Sequence, residues 1–83
     1  MTPERRKTLT EAVDLIRAAS NAESFDAPAI REALAAWGAT FPEGNTNTIR
    51  LFGITASCTW DAGEHLLTRW AANARKALEE GEG

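Results

Sequence analysis

The sequence predicts an all-α fold: a small single-domain bundle of three main helices at about residues 3–20, 27–37 and 60–80, with a short helical or extended segment near 49–54. Three observations carry this reading. Apolar residues recur at the spacing of one helix face in all three stretches, each stretch opens on a capping residue, and most turn formers gather in one loop between Phe41 and Thr48.

The first helix has two candidate starts. Thr2 before Pro3 makes an N-cap and N1 pair, and Thr8 with Glu11 has the spacing of a capping box. Leu9, Val13, Ile16 and Ser20 then share one face, widened by Ala12 and Ala19. Asn21 marks the stop, since asparagine tolerates the left-handed conformation found past helix ends. In the second helix Asp26 caps, Phe25 and Ile30 form a hydrophobic staple, and Ile30, Ala33, Leu34 and Trp37 make the inward stripe before Gly38 ends it.

The run from Ile49 to Ile54 fits either a short strand or a turn and a half of helix capped by Asn47 or Thr48. A lone strand would need a partner, so the reading favours a short helix ended by Gly53, with pairing to a strand of another chain as the alternative. The last helix starts near Thr59 or Asp61, the latter with Glu64 at capping-box spacing, and runs to about Glu80. Leu67, Trp70, Ala71, Ala74, Ala77 and Leu78 form its apolar side, with Leu66 and Trp60 broadening it. Gly63, Ala71, Ala74 and Ala77 leave little bulk on that side and suit close approach of another helix, either in this chain or in a second copy; with a core limited by size, a homodimer is expected.

At 83 residues the chain has room for one core. Such a domain buries only about 60% of its unfolded surface, which leaves stability marginal. The single cysteine, Cys58, cannot form an intramolecular disulfide and suits a reducing cytoplasm. No apolar run is long enough for a signal peptide or a membrane span. The net charge of −3 and pI near 5.0 argue against direct nucleic-acid binding, which depends on neutralising phosphates.

The residues that could carry chemistry are few. Cys58 precedes a helix start, where the dipole can lower a thiol pKa, but the one histidine, His65, lies two helical turns on. Asp61, Glu64 and His65 could share a face, yet a metal site needs further ligands, and Asp61 and Glu64 suit helix capping. Phosphate-binding glycine loops and nucleophile elbows do not occur, and the paired carboxylates Glu11 with Asp14 and Glu79 with Glu80 fall on exposed faces. The chain therefore reads as non-enzymatic, without cofactor or metal.

Part of the chain resembles a helix-turn-helix. Between Thr48 and Leu66, Ile49, Phe52, Gly53 and Ile54 occupy the first helix and turn as that motif prefers, followed by Thr55. Thr59 and Ala62 depart from it at apolar positions, and the recognition helix would open on Trp60, Asp61 and Glu64, whose carboxylates repel phosphate. The resemblance implies a DNA-binding regulator with Arg5, Arg6 and Lys7 as an arm, and this is the alternative reading.

The leading expectation is stoichiometric binding of a protein partner with a basic surface. Its contact residues are the acidic Glu11, Asp14, Glu32, Asp61 and Glu64, with Trp60 as the anchor, because a large aromatic beside charges is the usual make-up of a hot spot. In type, a compact acidic domain of this kind resembles phage-encoded inhibitors such as anti-CRISPR proteins. That likeness rests on size and charge rather than a motif, and implies an inhibitor or modulator that occupies a basic surface of a nucleic-acid-handling complex.

Overall fold

The computed structural model describes residues 2–22, 24–42, 44 and 46–80. The fold is α+β, not all-α: helix α1 (Pro3–Ser20), helix α2 (Ala27–Ala36), strands β1 (Asn47–Leu51) and β2 (Ile54–Cys58), and helix α3 (Glu64–Glu80). The two strands form one antiparallel hairpin, with Leu51 opposite Ile54 and Asn47 opposite Cys58.

The hairpin replaces the short helix expected at 49–54, and the strand that β1 needed comes from the next residues of the same chain. Its turn is only Phe52-Gly53, both with positive φ, 54° and 78°. That pair of angles belongs to the two-residue turn whose twist matches paired strands. The flanking segments alternate: Ile49, Leu51, Ala56 and Cys58 are buried, while Arg50, Thr55 and Ser57 are exposed. A helix over 49–54 would have spread Ile49, Leu51, Phe52 and Ile54 around its axis, whereas a period of two buries one face and wets the other.

Both edges of this small sheet are partly occupied. The outward N–H and C=O of Arg50 pair with Thr40, each at 2.9 Å. Two residues further along, Pro42 would fall opposite Thr48 and has no N–H to continue the ladder. On the other edge Asn73 Nδ2 donates to the Thr55 carbonyl at 3.1 Å and Arg69 Nη1 to the Ser57 carbonyl at 3.0 Å, so α3 satisfies the strand's outward acceptors.

The helices start and stop largely as their sequences dictate. Thr2 caps α1 by accepting from the Arg5 amide at 3.2 Å, while Thr8 bonds back to the Glu4 carbonyl instead of starting a helix. Asn21 ends α1 in a right-handed conformation (φ −89°), not the left-handed one expected. Asp26 caps α2 through the Ala29 amide, and Phe25 is partly buried against the core that holds Ile30. At its far end Gly38 (φ 105°) allows a double closure, Gly38 N–H to Ala35 and Ala39 N–H to Leu34, each 3.0 Å.

One core joins these parts: Leu9, Ala12, Val13 and Ile16 from α1, Ile30 and Leu34 from α2, the inner face of the hairpin, and Leu66, Leu67, Trp70, Ala71 and Ala74 from α3. Helix α3 packs on both α1 and β2. Of the residues assigned to apolar inward faces, Ser20, Ala33, Trp37, Trp60 and Ala77 are outside it. Ser20 is exposed at the last turn of α1, and Trp37 is 37% exposed because α2 ends before it. Conversely, the small residues Ala71 and Ala74 are buried within the chain, so that part of the expected dimer face is spent on the protein's own core. No helix of the described residues is long and apolar enough to cross a membrane.

Candidate functional site

Helix α3 begins at Glu64, later than expected, because Asp61 organises the approach to it. The Asp61 carboxylate accepts from the Gly63 amide at 3.0 Å and from the His65 amide at 2.8 Å, taking up two of the donors a helix start leaves free. These bonds hold its pKa below the usual aspartate value, the His65 amide first and the Gly63 amide second, with the nearby His65 ring adding a smaller electrostatic share. The ring Nδ1 of His65 lies 3.3 Å from the same carboxylate.

Trp60 immediately precedes this cap and is 64% exposed. Its ring is held by His65, with centroids 4.2 Å apart at a tilt of 51°. A chain of fixed contacts therefore runs from the α3 backbone through Asp61 and His65 to an indole face open to solvent. With Ala27, Gly63 and Glu64 these residues line an open depression of about 440 Å³. The approaches to the two helices lie close together here: a Cβ added at Gly63 would stand 3.1 Å from the Ala27 Cβ.

Of the six residues expected to bind a partner, the structure brings Trp60, Asp61 and Glu64 to this one place. Glu11 and Asp14 lie on the exposed face of α1 and Glu32 on that of α2. Trp60 and Asp61 are fixed by neighbours; Glu64 is exposed in the first turn of α3.

The residues weighed for catalysis are separated. Cys58 ends β2 facing the core and is 1% exposed, whereas His65 is on the surface of α3 paired with Asp61. Among the described residues no group of three or more His, Cys, Asp or Glu is placed to hold a metal ion. The helix-turn-helix resemblance over Thr48–Leu66 fails at its first element, since residues 47–58 are a β-hairpin.

Sequence reasoning missed the outer face of that hairpin, where Thr48, Arg50, Thr55 and Ser57 stand together. The signal was present in Thr-Ile-Arg-Leu and Ile-Thr-Ala-Ser flanking a two-residue turn with glycine second. Comparison with protein-family models, curated proteins and solved structures finds no match.

Proposed function

We propose that the protein is a stoichiometric, non-catalytic binding module that docks the Trp60 patch on a basic surface of a protein partner. The exposure of Trp60 supports this reading. An indole left in water beside a filled core forgoes burial worth about 1.5–3 kcal/mol, and burying it under a partner recovers that energy. Its contact with His65 restrains it before binding, which lowers the entropy cost of association. Asp61 and Glu64 supply negative charge at the rim, the complement of a basic partner, as proteins that handle nucleic acid present. Inhibition or modulation of such a partner follows from occupying that surface.

Affinity capture from a lysate of the source organism, with mass spectrometry, tests the proposal when wild-type protein is run beside Trp60→Ala, Glu64→Lys and the distant Glu32→Lys. A basic protein retained by wild type and Glu32→Lys but lost by the first two, all with native circular dichroism, supports it. Equal capture by all four proteins overturns it.

A further inference from the structure

The outer face of the hairpin differs chemically from the rest of this acidic chain. Its two cross-strand pairs, Thr48 with Ser57 and Arg50 with Thr55, turn away from the core, and Thr48 Oγ1 lies 3.3 Å from Ser57 Oγ. No Asp or Glu occurs from residue 44 to residue 60, although the whole chain carries 12. Two further arginines flank the ribbon from the helices. The Arg5 guanidinium approaches the turn, its Nη2 3.7 Å from where a Gly53 Cβ would stand, and Arg69 is anchored on the Ser57 carbonyl. Among the described residues, Arg5, Arg50 and Arg69 are in no ion pair.

We propose that this face binds double-helical DNA, entering the major groove as a two-stranded ribbon. Arginine, serine and threonine are the side chains that donate both to phosphates and to base edges, and the carboxylates that would repel phosphate are absent from the ribbon. The major groove of B-form DNA, about 12 Å wide, admits a two-stranded ribbon, whereas the deep and narrow major groove of A-form RNA does not. Addition of a third strand is not the mode of binding, because Thr40 holds one edge and Asn73 with Arg69 the other. With a net charge of −3 and only three arginines at the face, the contact is small and its salt slope is set by those few phosphate contacts. This surface shares no residue with the Trp60 patch, so the two proposals stand or fall separately.

Fluorescence anisotropy of a short labelled DNA duplex titrated with the full chain at rising salt is the test. Three phosphate contacts give a slope of log K against log salt of about −2.7, and Arg50→Ala reduces its magnitude by about 0.9. The same variant weakens binding about tenfold. Thr55→Val with Ser57→Ala weakens binding while leaving the slope unchanged, and Arg75→Ala, in the groove between α1 and α3, leaves both unchanged. All variants are checked by circular dichroism, and amide shifts on adding DNA fall within residues 46–58 and around Arg5 and Arg69. No binding at low salt overturns the proposal, as does equal weakening by Arg75→Ala and Arg50→Ala, or equal binding of duplex RNA or of polyglutamate.

Discussion

The indole Nε1 of Trp70 donates to the carbonyl of Ile54 across 3.1 Å, tying the middle of α3 to the first residue of β2. Trp70 is fully buried, so this one bond satisfies the only polar atom of its side chain. Trp70→Phe removes the donor and leaves a gap, and is expected to cost about 1–3 kcal/mol. Trp70→Ala is expected to cost about 3–5 kcal/mol, a large share of the 5–15 kcal/mol typical of a whole domain. Urea unfolding followed by circular dichroism measures both, and a Phe variant as stable as wild type contradicts a role for the bond.

Two glycines separate backbone strain from crowding. At Gly53 the φ of 78° strains any side chain, but a Cβ there meets nothing closer than Arg5 Nη2 at 3.7 Å. Gly53→Ala is therefore expected to cost about 1–2 kcal/mol through the backbone alone, with Gly53→Asn costing less because asparagine tolerates that region. Gly63→Ala instead presses on the Ala27 Cβ and displaces the start of α2. Amide shifts near Ala27 on Gly63→Ala, and their absence on Gly53→Ala, distinguish the two mechanisms.

The helices were legible in the sequence because their ends carry local chemistry: Thr2-Pro3, Asp26, Trp37-Gly38 and Asp61 each mark a boundary that capping explains. The hairpin was hidden by Phe52, a bulky residue at φ 54°, where the usual turn signal is asparagine or aspartate before glycine. Packing of Phe52 against the core helps hold the turn, and propensity alone does not reveal that long-range contact. Trp37 was misplaced for a related reason: helical spacing continues through it, but the left-handed Gly38 ends the helix and turns the chain. The grouping of Trp60, Asp61 and Glu64 was legible because all three lie within one turn of a helix start, while the outer face of the hairpin required the register of the strands.

Cys58 behaves as a small core residue. It is 1% exposed on the inner face of β2, so its thiol should react with a disulfide reagent only when the domain opens. Cys58→Ser buries a hydroxyl in an apolar site and is expected to cost about 1–3 kcal/mol, more than an apolar replacement of similar size. Thiol-labelling rates across urea concentrations check the first point: fast labelling in the native state would show that β2 frays.

Asp61 sets a pH dependence. Its carboxyl is held below the ordinary aspartate value of 3.8 chiefly by the His65 amide, so its contribution to stability is present above that value and is lost as pH falls through the lower folded pKa. Asp61→Asn should melt at lower temperature than wild type at neutral pH, and the gap should close in acid. Because the main cause is a backbone amide, the gap should persist in a His65→Ala background. A gap that disappears there would assign the effect to the imidazole ring instead.

The Trp60 patch sets stability against affinity. Trp60 is 64% exposed and touches His65, which is itself on the surface, so its removal takes little from the core. Trp60→Ala is therefore expected to change unfolding by no more than about 0.5 kcal/mol, the range of ordinary surface substitutions. If the indole anchors a partner, the same variant loses about 2 kcal/mol or more of binding, roughly a thirtyfold rise in Kd. Glu64→Lys acts differently. Its carboxylate is exposed at the rim, so charge reversal should slow association and weaken its salt dependence, leaving dissociation nearly unchanged. Surface plasmon resonance against the captured partner at two salt concentrations, run beside thermal unfolding of each variant, measures all of these. Trp60→Ala that melts well below wild type yet binds normally would make the tryptophan structural. Folded variants with unchanged kinetics would move the binding surface away from the start of α3.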